Sequence, residues 1–344
     1  MQKLNLSNLP KACLGTMNFG SITDEKTSFE IMDTALGMGC YFFDTAELYS
    51  VPTTEETTGL SEKIIGKWMK NRKNRNKIFL ATKITGPERG NAPWIRGGKE
   101  RCFNEENIRE ALQGSLDRLQ THYIDLYQLH WPNRDVNIFG TRNFSYTRNT
   151  NNIEITEIKE TLRILQKLQQ EGLIKYFGIS NETPWGVSEF QRLEREENLP
   201  KMQSIQNNYS LLTRTFETAL SEFSFNTGLG LLAYSPLAFG ALVDTQRKNG
   251  RFNTYTESSL RYRTERVKKI VEKYKALAHS HGLTLPQLAI SFVASKPFVN
   301  SVIIGPATVE QTRDAILATQ QVLPENILQE IDIIHEEHPN VCPQ

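Results

Sequence analysis

The sequence predicts an α/β fold, a closed (β/α)8 barrel forming a single domain over residues 1–344. Three observations carry it. Short apolar runs alternate with amphipathic stripes eight times along the chain, the pattern of parallel strands joined by crossover helices. The runs are continuously apolar, as expected of strands buried on both faces. Finally, Leu14-Gly15-Thr16-Met17-Asn18-Phe19-Gly20 after the first run lacks the G-x-G-x-x-G loop that an open doubly wound sheet usually carries there. A barrel of this kind routinely occupies about 250 residues or more as one unit.

The elements follow in order. The first apolar run ends in Leu14 to Met17, and Phe29, Met32, Ala35 and Leu36 share a helical face. Residues 41–44 read as the second strand, 61–70 as a helix with Ile64, Ile65 and Trp68 at helical spacing, and 78–82 as the third strand. Asn104 is a candidate N-cap for the stripe Ile108, Ala111, Leu112, Leu116, Leu119. Residues 123–129 make strand four. Ile158, Leu162, Leu165 and Leu168 form the next stripe, stopped by Gly172. Strands are then expected at 173–179, 202–206, 230–234 and 302–304, with helices between them and a helix closing the C-terminal end. Three stretches break the rhythm, at 86–101, 131–152 and 237–263, each after a strand. In a barrel they fall on the catalytic face as long βα loops.

Composition narrows the partners. Lys plus Arg number 40 and Asp plus Glu 39, for a net charge of +1, which gives no electrostatic case for nucleic acid or an anionic membrane. The four cysteines, Cys13, Cys40, Cys102 and Cys342, form no C-x-x-C pair, the usage of a reduced, cytoplasmic protein. No apolar run has signal-peptide or bilayer-spanning character. No metal site is expected. His279 and His281 stand two residues apart, do not share a helix face, and read as solvated histidines at a helix end. Asp24 and Glu25 read as helix N-terminal charge.

Ionisable groups sit where the apolar runs stop. Asp44 closes strand two, Tyr49 lies five residues on, Lys83 closes strand three and His130 closes strand four. At the same ends of consecutive barrel strands they would converge on one mouth. Their chemistry is mutually consistent. A phenol titrates near ~10, a neighbouring ammonium lowers that value, a carboxylate holds the ammonium, and an imidazole orients a carbonyl oxygen. Such a set can protonate an oxygen that gains negative charge, but the hydride must come from a cofactor.

These residues resemble the aldo-keto reductase family. Asp44-Thr45-Ala46-Glu47-Leu48-Tyr49 is similar to its D-T-A-x-x-Y segment, with Lys83 in I-F-L-A-T-K and His130 in D-L-Y-Q-L-H-W-P. Residues 174–181, 203–210 and 233–237 continue the match in order, and the segment 50–59 with the insertions 86–101 and 131–152 looks most like the bacterial Tas-type branch. The resemblance implies a tetrad of Asp44, Tyr49, Lys83 and His130, with Tyr49 as general acid in the NADPH-dependent reduction of an aldehyde or ketone. It implies that Ser180, Asn181 and Gln206 bind the carboxamide side of the nicotinamide and that Tyr234 stacks on its ring. Ser235, Pro236 and Leu237 would meet the pyrophosphate, and Thr16 and Met17 the cofactor near the ribose. Gly305, Thr308 and Gln311 match the adenosine end, where Ala315 replaces the family's usual Asn and Gln311 stands where many relatives carry Arg. Trp94, Trp131 and Tyr209 are expected to line an aromatic pocket for a small carbonyl compound. The alternative is an NADPH-binding regulatory or sensor protein with little turnover, because potassium-channel β subunits, whose barrels resemble this one, keep the same tetrad.

Overall fold

The computed structural model describes residues 6–88, 92–134, 136–139, 153–243, 250–254 and 259–342. Eight strands, β1 (Ala12–Gly15), β2 (Phe42–Asp44), β3 (Phe79–Ile84), β4 (Ile124–Leu129), β5 (Ile174–Ser180), β6 (Ser204–Asn208), β7 (Gly230–Tyr234) and β8 (Val299–Ile304), pair in sequence order and close into a barrel. Every pairing is parallel, including the β1–β8 seam. The (β/α)8 TIM barrel expected from the alternation is the fold observed.

The helices are α1 (Glu25–Gly37), α2 (Leu60–Arg72), α3 (Glu105–Leu119), α4 (Ile153–Gln170), α5 (Pro184–Glu197), α6 (Leu220–Thr227), the short α7 (Arg251–Thr254), α8 (Glu265–Ser280), α9 (Leu285–Ser295), α10 (Val309–Gln320) and α11 (Glu325–Glu337). Several of their starts are set by side-chain caps. Asp24 accepts from Thr27 N, Asn104 from Asn107 N, Thr183 from Gly186 N and Thr308 from Gln311 N. Gly172 follows α4 at φ 75°, a conformation that costs glycine little. The core has two layers. Cys13, Phe42, Ala81, Leu126, Leu232 and Ile303 fill the barrel interior, while a much larger apolar shell packs the outer face of the sheet against the helices. Among the described residues, no helix is long and apolar enough to cross a membrane.

Three boundaries differ from the sequence reading for physical reasons. β3 runs on to Ile84, so Lys83 lies inside the strand rather than at its end. β8 begins at Val299, earlier than the apolar run suggested. β6 is displaced toward Gln206, Asn207 and Asn208. Gln206 ended the expected strand; Asn207 and Asn208 beyond it are polar yet buried, each with a hydrogen-bond partner, so polarity hid the strand's end.

The long loops after β3 and β4 open on one face of the barrel, as expected. The described part of the second stops at residue 139; residues 89–91, 135, 140–152, 244–249 and 255–258 of the three stretches lie outside the described residues. Leu48, Ala92, Ile95, Trp131, Val136 and Ile138 form a small apolar cluster of their own there, joined by Tyr49 and Trp94. Gly86 permits it, because a Cβ at that position would lie 2.4 Å from Trp131 Cδ1.

Candidate active site

Asp44 ends β2 and Lys83 lies on β3, both with less than a twentieth of their surface exposed. The Lys83 ammonium donates to Asp44 Oδ2 at 2.6 Å, to the Thr45 carbonyl at 2.8 Å and to the Tyr49 hydroxyl at 3.4 Å. Its three protons thus have three acceptors. Burial works against that charge, but Asp44 and Tyr49 together outweigh it and hold the Lys83 pKa above the usual lysine value. Tyr49 arrives on the turn after β2, where its amide donates to the Ala46 carbonyl, and Lys83 Nζ lies 4.7 Å from its ring centroid.

His130 is the first residue beyond β4, fixed by its amide on the Ile84 carbonyl. Its ring stands nearly perpendicular to that of Tyr49, centroids 5.7 Å apart, with Trp131 behind it. Burial, reinforced by the Lys83 charge, pushes its pKa well down, so the imidazole is neutral. His130 Nδ1 is buried without a hydrogen-bond partner among the described residues. The structure therefore brings Asp44, Tyr49, Lys83 and His130 to one mouth of the barrel, as the strand-end argument expected.

Beside this group lies a second polar layer. Asp44 Oδ1 accepts from Gln128 Nε2 at 3.0 Å and from Gln206 Nε2 at 2.9 Å, and Gln206 Nε2 also reaches Gln128 Oε1 at 3.1 Å. Ser180 Oγ donates to the Gln206 carbonyl. Asn181, in the left-handed region at φ 53°, donates from Nδ2 to the His130 carbonyl at 2.9 Å and accepts the Tyr234 hydroxyl on Oδ1 at 2.7 Å. Burial pushes the Tyr234 phenol up, opposed by the positive charge of nearby Arg261. Ser235, also at positive φ, and Pro236 then turn the chain into Leu237.

The remaining sequence-predicted positions are placed less uniformly. Thr16 is buried, its hydroxyl donating to the Asp44 carbonyl and accepting from Ser61, whereas Met17 is half-buried. Gly305 is exposed beyond β8. Thr308 and Gln311 both serve the start of α10, the latter by accepting Ala307 N on Oε1 at 2.9 Å. Ala315 packs against the outer core. Tyr209 corrects an expectation. Unlike Trp94 and Trp131 it is not at the mouth; it is fully buried in the outer shell, stacked on Phe292 and edge-on to Phe298, with its hydroxyl on Glu217. His279 is exposed at the end of α8, and His281, half-buried just beyond it, contacts Glu330 at 3.0 Å. No cluster of three or more potential metal ligands occurs among the described residues.

Sequence reasoning missed two contributors. Gln128 was legible as the polar residue in the apolar run Ile124–Leu129. Glu47 carried no local signal. Its carboxylate takes the amide and hydroxyl of Thr85 at 2.6 and 2.5 Å and a guanidinium nitrogen of Arg96 at 3.1 Å, tying the Tyr49 turn to the loop after β3.

Known proteins resemble this chain along most of its length. The chain is 39% identical over 334 residues to "Protein tas" of Escherichia coli (strain K12), covering 96% of this chain and 95% of that protein. It is 36% identical over 326 residues to the "Uncharacterized oxidoreductase YrpG" of Bacillus subtilis (strain 168), covering 94% and 91%. Against "Norsolorinic acid reductase B" of Dothistroma septosporum it is 28% identical over 337 residues, covering 93% and 76%. The model of the aldo/keto reductase family matches residues 11–336, nearly the entire barrel. With a closed barrel of eight parallel strands and relatives of this similarity and coverage, the chain belongs to the aldo/keto reductase family, an oxidoreductase family.

Proposed function

We propose that this protein is a cytoplasmic NADPH-dependent reductase of aldehydes and ketones, with Tyr49 as the acid that protonates the carbonyl oxygen. The observation that carries the reading is the buried ammonium of Lys83, in contact with Asp44 on one side and the Tyr49 hydroxyl on the other. A positive charge there favours release of the phenolic proton as the substrate oxygen gains charge. Asp44 keeps the ammonium in place. The neutral imidazole of His130 offers one N–H to the same oxygen, orienting the carbonyl without competing as a proton donor. The buried thiols of Cys13 and Cys40 suit a reducing compartment.

The residues present fit a nicotinamide dinucleotide. Arg261 has two buried guanidinium nitrogens, Nε and Nη1, without hydrogen-bond partners among the described residues, and its charge acts on Tyr234. A cation near Tyr234, the residue that leads into Ser235–Leu237, suits a phosphate. Gly305 and the N-terminus of α10, where Thr308 and Gln311 lie, suit the adenosine end. Ser180, Asn181 and Gln206 would hold the carboxamide against the Tyr234 ring, and Thr16 and Met17 would flank the ribose. Gln206, whose amide nitrogen is engaged by Asp44 and Gln128, has its oxygen to offer. When bound, the dihydronicotinamide supplies the hydride received by the carbonyl carbon. Leu48, Trp94, Ile95 and Trp131 would present an apolar wall to the substrate and exclude water.

The test is NADPH oxidation against a panel of aldehydes, ketones and quinones, with Tyr49→Phe in parallel. The variant should keep cofactor affinity while losing at least roughly 100-fold in reduction rate, the scale of a lost general acid. Turnover by Tyr49→Phe at nearly the wild-type kcat would remove Tyr49 from its role. Cofactor binding without turnover of any carbonyl in the panel would favour a regulatory protein.

A further inference from the structure

We infer that Gln128 is a positioning residue for the proton-transfer group, holding Asp44 so that the Lys83 charge remains available to Tyr49. The inference rests on the proposed function. Asp44 divides its two oxygens between two tasks. Oδ2 faces the Lys83 ammonium at 2.6 Å, while Oδ1 is held by the amides of Gln128 and Gln206. Gln128 has no surface exposure and lies next to Lys83 in the β3–β4 register. A buried amide within an apolar strand costs free energy unless both of its ends are paired. Here both are, the nitrogen on Asp44 and the oxygen on Gln206 Nε2. No part of that arrangement is needed to close the barrel, since an apolar side chain would satisfy the packing.

Its consequence is electrostatic. Two N–H donors on Oδ1 draw negative charge toward that oxygen and fix the carboxylate plane. Oδ2 then neutralises the ammonium less completely, and more of its field reaches the phenol 3.4 Å away. Removing one donor makes Asp44 a stronger partner for Lys83 and weakens that field, so the phenol of Tyr49 becomes less acidic. The other titratable groups facing this cluster do not blur the readout. Burial and then the Asp44 charge raise the Cys13 thiol on β1. Burial raises the Tyr234 phenol on β7, and burial with the Lys83 charge lowers His130 beyond β4. All three stay uncharged through the neutral range.

Gln128→Met tests this. Methionine keeps the unbranched chain and removes both the amide donor and the amide acceptor. The expected result is a fall in kcat for carbonyl reduction on the order of tenfold, with KM and NADPH affinity within about twofold. The alkaline limb of the kcat profile, where the Tyr49 proton is lost, should move up by about half a pH unit or more. A fall in kcat with the limb unmoved would mean a merely structural role, and an unchanged kcat would mean none; either overturns the inference. Gln128→Glu is the second variant. Beside the Asp44 carboxylate the introduced carboxyl holds its proton, donates to Oδ1 and accepts from Gln206. It should therefore restore activity on the acid side and lose it as pH rises, and it carries the test if Gln128→Met does not fold. Absence of acid-side recovery in a folded Gln128→Glu protein also overturns the inference. Tyr49→Phe in the same assay separates the two levels. If that variant is active, the acid assignment fails; if it is inactive while both Gln128 variants behave as wild type, only the Gln128 inference fails.

Discussion

Replacing Lys83 by methionine removes the ammonium while keeping the chain that threads between β2 and the Tyr49 turn. The lost cation stood 3.4 Å from the Tyr49 hydroxyl. At an effective dielectric near 20, a unit charge at that distance favours phenolate by roughly 5 kcal/mol before Asp44 is counted. If the carboxylate cancels half of it, about 2.5 kcal/mol remains, a loss in reduction rate on the order of 100-fold. Stability should fall as well, because Asp44 is left buried with its two amide donors but no cation. Breaking a buried pair from one side costs about 3–5 kcal/mol. Unfolding entropy for 344 residues is on the order of 0.7 kcal/mol per kelvin, so the melting temperature should drop by roughly 4–7 °C. The sign of the pH dependence follows from the raised Lys83 pKa. The stabilisation by the charged lysine is fully present below its unfolded value near ~10.5 and is lost as pH rises through the folded value. The deficit of the variant should therefore be constant from pH 7 to 9. Stopped-flow or steady-state NADPH oxidation and calorimetric melts measure the two effects. A variant with kcat within threefold of wild type that melts within a degree or two of it would refute the Asp44–Lys83–Tyr49 argument.

The other predictions concern the imidazole and the cofactor. Folded His130 stays neutral, whereas the unfolded side chain takes a proton near ~6.5. Stability contributed by its neutral form is present above that value and falls with pH; urea titrations should show wild type losing about 1.4 kcal/mol relative to His130→Gln between pH 7.5 and 5.5, and parallel curves would contradict a depressed His130. NADPH should bind more tightly than NADH, with discrimination spread over Thr308, Gln311 and Arg261 or Arg313; if Arg261 meets a phosphate, added salt and Arg261→Ala should each reduce binding, and equal affinity for the two dinucleotides would sink the phosphate-site reading. Ala315→Asn should tighten both dinucleotides by about 0.5–1.5 kcal/mol in titration calorimetry if α10 meets adenine, and an unchanged affinity would show that it does not.

What the sequence made legible was whatever has a one-dimensional signature. Strands buried on both faces read as apolar runs, and α3 announced itself by Asn104 and a five-residue stripe. Asp44, Tyr49, Lys83 and His130 stood out because ionisable side chains at the ends of such runs need an explanation. What failed had its partners elsewhere in the chain. β6 was displaced because Asn207 and Asn208 look like a loop until Glu182 and Tyr262 are placed against them. Tyr209 lies just beyond that strand and looked like part of a pocket wall, but its ring packs outward toward α9. The Glu47–Arg96 clamp joins residues 49 apart, and no periodicity of either segment predicts it. Gln128 is the instructive case, since the break in an apolar run was visible although its partner was not.

Asn181 shows why the polar layer must be built across several strands. Hydride transfer requires donor and acceptor atoms held at about 3–3.5 Å, and under the proposed function they are held by different elements, Tyr234 on β7 and His130 beyond β4. Asn181 lies between them, accepting from the Tyr234 hydroxyl and donating to the His130 carbonyl. Its left-handed backbone would be strained if left to itself. The next residue is clamped by Asn207, whose side chain accepts Glu182 N at 3.2 Å and donates to the Glu182 carbonyl at 2.9 Å. Glu182 in turn holds Arg134, on the loop that follows His130. Each polar side chain in this layer therefore ties a strand end to its neighbour, and the apolar runs beneath supply the rigid frame. A barrel can keep the buried amides of Gln128, Asn181, Gln206 and Asn207 at one mouth because each is paired across a strand boundary, where an unpaired amide would cost about 1–3 kcal/mol. The same pairing that makes the layer affordable fixes the spacing between β4 and β7, the spacing on which a reaction between two bound molecules depends.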